Sequence, residues 1–258
     1  MNPRIKSSLI LSILICLTAA AKTSDIERIR QTGALTVGVK DDVPGFGFFN
    51  QTTNEYEGLE IDIARAIAKQ IFDSESKITF VPVNERNRSS FLNQNRVDMI
   101  IATFSVTDER RRLYDFSDVY YTDALGLMVR KSSGIASLKD LENKRVGVTQ
   151  GTISSSIIRT AAGHDGVLIN IVPYPSNLSM RDALLSGDID ALAVDHSILS
   201  ALADDSLAIL PERYGQMMYA VAIKKDSAAV TKQVNDAIRS LVKSGRFGQM
   251  LEKNGLSK

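Results

Sequence analysis

Short β-branched runs alternate with longer amphipathic ones along almost the whole chain, and this alternation limits the fold more than any other feature. Strand-like runs fall at 35–40, 78–83, 97–101, 125–129, 145–148, 168–172, 191–194 and 219–223. Helical runs fall between them at 59–72, 154–162, 177–185, 196–203 and 230–251, the last with a break near Ser244 and Gly245. The clearest is 59–72: Leu59, Ile63, Ile67 and Ile71 share one face at spacing four, and Glu60 and Asp62 sit in the first turn, where they complement the helix macrodipole. Strands interleaved with helices predict an α/β architecture with mostly parallel sheets.

The series occurs twice, which predicts two lobes. The first comprises residues 22–119 and 220–258, the second 125–214, and the segments 120–124 and 215–219 serve as hinge strands between them. Periodicity alone also admits one continuous sheet. A chain of 258 residues can build two modest cores, and it carries no low-complexity linker.

The first 21 residues differ from the rest. Arg4 and Lys6 precede an apolar run at 9–20 that ends in Ala19-Ala20-Ala21, the pattern of a secretory signal peptide. The run is short for a bilayer span, although an uncleaved anchor is the alternative. The single cysteine, Cys16, lies inside it after the bulky Ile15, so the mature chain is expected to hold no thiol or disulfide. Without Arg4 and Lys6 the chain has 29 basic and 30 acidic residues, which offers no global field for nucleic acid.

Ligands of open parallel sheets bind beyond the carboxyl ends of the strands. Lys40 stands there after the first strand, Arg88 shortly after Val83, and Thr103, Phe104, Ser105 and Arg110 after Ile101. In the second series Gly151 and Thr152 follow Val148, and Asp195 follows Val194. Both charge signs and several hydroxyls thus gather at strand ends, the composition a zwitterion requires. An α-carboxylate suits the Arg110 fork and backbone N–H groups at the 151–153 turn. An α-ammonium suits Asp195, with Thr103 or Ser105 nearby. Three or four charge-assisted bonds of roughly 1.5–3 kcal/mol each would sustain a micromolar affinity of about 8 kcal/mol after ordering costs. Each residue also has a plainer reading. Arg110 lies in a charge run, and Asp195 and Ser105 could be helix caps.

At these residues the chain resembles the periplasmic amino-acid-binding proteins of ABC importers (solute-binding protein family 3). The matching segments are Gly58-Leu59-Glu60-Ile61-Asp62-Ile63-Ala64, Ser105-Val106-Thr107-Asp108-Glu109-Arg110, Asp115-Phe116-Ser117, Tyr120-Tyr121, Ser137-Leu138-Lys139-Asp140-Leu141 and Val146-Gly147-Val148-Thr149-Gln150-Gly151-Thr152. The resemblance implies a type II two-lobed periplasmic-binding-protein fold, with the ligand in the cleft and no cofactor or metal. It assigns the α-carboxylate to Arg110 and Ser105, helped by an amide near Thr152, and the α-ammonium to Asp195 and the Thr103 carbonyl. The partners implied are a free L-amino acid and an inner-membrane ABC permease, with the protein itself a periplasmic monomer.

Within the family the chain looks most like the aspartate/glutamate-binding branch. The segments that carry this are Gly38-Val39-Lys40, Asp42-Val43-Pro44, Val83-Asn84 with Arg88, Ile101-Ala102-Thr103-Phe104, and Val194-Asp195 with Ser197-Ile198-Leu199. In that branch Arg88, with Lys40 nearby, would hold a side-chain carboxylate. The branch tends to carry an aromatic contact where Asn177 stands here, and an amide there would also suit asparagine or glutamine. A basic ligand would need acidic residues where Arg88 and Lys40 stand. The other readings are an exported dehydratase of the prephenate/arogenate type and a sensing domain that signals through a partner. Dehydration would need an acid in the cleft, and the sequence singles out none. No Ser/His/Asp, metal-ligand or P-loop spacing is visible, and the expectation is a binding protein, not an enzyme.

Overall fold

A computed structural model describes residues 24–256, so the leader read at 1–21 lies outside the described residues. The first lobe opens with α1 (Asp25–Thr32), β1 (Leu35–Val39), and a small antiparallel sheet of β2 (Asp42–Val43), β3 (Gly47–Asn50) and β4 (Glu55–Glu57). Next come α2 (Leu59–Phe72), β5 (Ile78–Pro82), α3 (Arg88–Asn93), β6 (Met99–Ile101), α4 (Asp108–Leu113) and β7 (Tyr114–Phe116). The spacing-four stripe of α2 is fully or nearly fully buried, as its periodicity requires. Its start depends on Gly58: φ is 125°, and a Cβ there would lie 2.1 Å from the Phe46 carbonyl oxygen.

The long strand β8 (Tyr121–Arg130) carries the chain into the second lobe. There follow β9 (Arg145–Thr149), α5 (Ser154–His164), β10 (Asn170–Tyr174), α6 (Asn177–Ser186), β11 (Ala191–Asp195), α7 (His196–Leu202) and β12 (Leu207–Ile209). The strand β13 (Tyr214–Tyr219) leads back to β14 (Ala222–Lys224), which joins the first lobe's sheet, and α8 (Ala228–Lys243) and α9 (Arg246–Lys253) complete that lobe. The single strand expected at 219–223 is therefore two, because the chain leaves one sheet and enters the other at Ala220 and Val221.

The first lobe's sheet runs β5-β1-β6-β14-β7 and the second's β10-β9-β11-β8-β12, with β13 also paired to β8. In each, only the three strands joined by helical crossovers are parallel: β5, β1 and β6, and β10, β9 and β11. The others are antiparallel, which corrects the expectation of mostly parallel sheets. The strands β8 and β14 arrive straight from the other lobe, with no βαβ crossover to impose a parallel direction.

Where the lobes meet, β8 and β13 pair antiparallel through Tyr121–Tyr219, Thr122–Met218 and Asp123–Met217. The rings of Phe46, Tyr121 and Tyr219 pack there, with centroids 5.1 to 5.9 Å apart. Among the described residues no helix is long and apolar enough to cross a membrane.

Candidate functional site

The carboxyl ends of both sets of parallel strands converge on one narrow pocket between the lobes. From the first lobe its wall receives Glu85, Arg88, Thr103, Ser105 and Arg110. From the second it receives Thr149, Thr152, Ser154, Asn177 and Asp195.

The two arginines are held by their own lobe. Arg88, 2% exposed, opens α3 and donates through Nη1 to the Ala102 carbonyl at 2.6 Å. Arg110 lies in α4, whose start is capped by the Thr107 hydroxyl, and donates to the Ser105 carbonyl at 2.8 Å. Phe104 is not on the wall but beneath it, with the Arg88 and Arg110 guanidinium carbons 4.4 and 4.1 Å from its ring centroid. Burial, and for Arg110 the neighbouring Arg88, lower both pKa values, that of Arg110 to about 10; both stay charged at neutral pH.

Both guanidinium groups also reach across the cleft to the Gly151 carbonyl, Arg110 at 3.0 Å and Arg88 at 3.4 Å. The backbone at Gly151 has φ 78°, and a Cβ there would lie 2.7 Å from the Glu85 carbonyl oxygen, so only glycine permits this approach. This alters one expectation. The 151–153 turn was expected to offer N–H groups to an anion, yet the Thr152 N–H turns back to the Thr149 carbonyl at 3.4 Å and the Ser154 N–H to the Thr152 hydroxyl at 3.3 Å. Helix α5 begins only at Ser154, so the Thr152 N–H lies before its first turn.

In the second lobe Thr149 donates its hydroxyl to Asn177 Oδ1 at 2.6 Å, and Thr152 donates its own to the Thr149 carbonyl at 2.7 Å. Asp195 precedes α7 but makes no side-chain cap; its carboxylate accepts instead from the Tyr219 hydroxyl. Burial pushes the Asp195 carboxyl up to about 6, and the nearby Asp123 adds to this. His196 forms no dyad with it, since its Nε2 lies 2.7 Å from Arg213.

Lys40, like Phe104 and Gly151, is a sequence candidate that does not line the wall. It is 2% exposed, and its Nζ is held by Glu85 Oε1 at 2.9 Å and Asp42 Oδ1 at 3.0 Å. Two carboxylates were missed. Glu85 lies on the wall itself, in the stretch between Asn84 and Arg88 that carried no signal of its own. Burial works to raise its pKa, but the Lys40 ammonium overcomes this and holds it below the usual carboxylate range. Glu60 lies deeper and fully buried, accepting from the Thr103 N–H and the Tyr120 hydroxyl, each at 2.6 Å. Burial pushes it up to about 7. It had been read only as a first-turn helix residue, although an acid amid Leu59, Ile61 and Ile63 signals a buried partner. Among the described residues no group of His, Cys, Asp and Glu is placed to hold a metal ion.

Residues 35–257 match the bacterial extracellular solute-binding proteins, family 3. The chain belongs to that family. It is 33% identical to the glutamine-binding protein GlnH of an ABC transporter from Bacillus subtilis, over 90% of this chain and 85% of that one. It is 29% identical to the L-cystine-binding protein TcyJ of Escherichia coli, over 88% and 85% of the two chains. A cysteine-binding protein from Campylobacter jejuni superposes with a TM-score of 0.80 at 29% identity, covering 90% of this chain and 93% of that one. This family 3 protein is thus a two-lobed, type II solute-binding protein of amino-acid ABC transport. Its relatives are binding proteins named for free amino acids.

Proposed function

We propose that this protein captures one free L-amino acid with an acidic or amide side chain outside the cytoplasm and delivers it to an inner-membrane ABC permease. One observation carries the reading: Arg110 on the first lobe and Asp195 on the second line the same cavity. Arg110 and Ser105 hold the α-carboxylate, a stronger acceptor than the Gly151 carbonyl that Arg110 otherwise bonds. Asp195 takes the α-ammonium together with the Thr103 carbonyl, and Arg88 reads the side chain. The relatives that bind glutamine and cystine support a free amino acid as the class of ligand. Their family is extracellular, which agrees with the leader read at 1–21 and with a periplasmic location.

Closure follows from bending at 120–124 and 215–219, the segments that hold the β8–β13 pairs at the junction. A ligand that touches both lobes binds the closed form more tightly and shifts the population toward it. Dehydration of a prephenate-like substrate would require a proton donor above the leaving group. Glu85, which Lys40 keeps ionised, is suited to accept rather than to donate.

Thermal denaturation of ligand-stripped protein against the twenty amino acids tests the proposal. A ligand at a hundred times its Kd stabilises by about 2.7 kcal/mol. At least one of aspartate, glutamate, asparagine and glutamine should raise Tm, and prephenate should be recovered unchanged. A Tm rise confined to basic or aliphatic amino acids, or turnover of prephenate, would contradict it.

A further inference from the structure

The far end of the pocket holds a charge arrangement that the sequence did not disclose. Lys40 and Arg88 together were expected to meet a side-chain carboxylate. Lys40 is already matched by Glu85 and Asp42, and Glu85 is among the residues that line the pocket. The Glu85 side chain is only 8% exposed, so water screens it little. Three residues further on, at the start of α3, Arg88 lines the same pocket. The residues that line the pocket therefore include one donor-only guanidinium and one acceptor-only carboxylate.

An amide has one acceptor oxygen and two N–H donors, and satisfies both partners at once. A carboxylate has acceptors alone. It would satisfy Arg88, but it would set a second negative charge against Glu85 in a space with little water. Resting on the ligand class proposed above, we infer that Glu85 is the residue that determines specificity. By occupying Lys40 and presenting an acceptor beside Arg88, it makes this end of the pocket a reader of a side-chain amide. Glutamine or asparagine is then captured in preference to its acid.

The test is titration calorimetry of ligand-stripped protein with glutamine, glutamate, asparagine and aspartate, on the wild type and on Glu85→Gln and Glu85→Ala. In the wild type the better amide should bind at least roughly tenfold more tightly than its acid, the scale of one charge-assisted hydrogen bond. Glu85→Gln removes the charge but keeps an acceptor. It should narrow the amide-to-acid ratio about tenfold, the acid gaining relative to the amide whatever the change common to both. Glu85→Ala should weaken the amide as well. A purely structural role would weaken all four ligands by one factor in both variants, which would overturn the inference. A wild type that prefers an acid would also overturn it while leaving the ligand class intact. If none of the four binds, the ligand class itself fails. Should Glu85→Ala not fold, the wild-type ranking and the isosteric Glu85→Gln decide.

Discussion

The two walls of the cleft are built by different chemistry. The first lobe presents two guanidinium groups fixed in advance, each bonded to a main-chain carbonyl of its own lobe and both lying against Phe104. The second presents hydroxyls and an amide that bond one another, with Asp195 as its single charged side chain on the wall. Fixed cations require no reorganisation when an anion arrives, whereas neutral hydroxyls lose little when an opening cleft returns them to water. On the function proposed above, the first lobe catches the ligand and the second closes over it.

Replacing Arg110 should break this asymmetry most severely. Arg110→Ala removes the proposed α-carboxylate fork and should weaken every amino acid on the order of a thousandfold by calorimetry, for two charge-assisted bonds. Retention of near-native binding would move the catching function elsewhere. Asp195→Asn keeps an acceptor for Tyr219 while removing the charge proposed to meet the ammonium. A loss of roughly tenfold to a hundredfold is expected, equal for all ligands, with weaker ligand-induced compaction in small-angle scattering. Unchanged compaction would show that the second lobe closes without it.

Acid should separate affinity from stability, because burial raises Asp195 to about 6 and Glu60 to about 7 while the guanidinium groups stay charged. Affinity is full while Asp195 is ionised and should fall by up to about tenfold for each pH unit below that value. The ligand-free protein should respond in the opposite sense. In the window from about pH 4.5 to 7 the folded state holds protons that the unfolded state has released, so these two groups favour folding as pH falls. Tm and affinity measured over that window should diverge; parallel decline would refute the assignment. The smallest effect belongs to Asn177→Ala, which removes the partner of the Thr149 hydroxyl. Affinity should fall roughly two- to tenfold with the first lobe unaffected.

What the sequence made legible follows the same division. Helix α2 could be read to the residue because its apolar stripe and its glycine start agree. The short elements β2 to β4 and α1 left no periodic signal, since each is too brief to complete a pattern. Arg88, Arg110, Thr103, Ser105, Thr152 and Asp195 follow strand ends, which converge in such folds, and they line one pocket; Asn177 lines it too, although only the family resemblance pointed to it. The ionic partners could not. Glu85 reaches Lys40 across 45 positions and Tyr219 reaches Asp195 across 24, and such pairings emerge only when separate strands meet. Its place after the first strand and the family resemblance therefore gave Lys40 to the ligand, although Glu85 engages it.

Recognition of both ends of one zwitterion is most directly measured by calorimetry with the best amino acid and two analogues, one lacking the α-carboxylate and one the α-ammonium. One ligand should bind per chain, and each analogue should lose at least about a hundredfold in affinity. An analogue that binds as well as its parent would mean that Arg110 and Asp195 do not share a ligand.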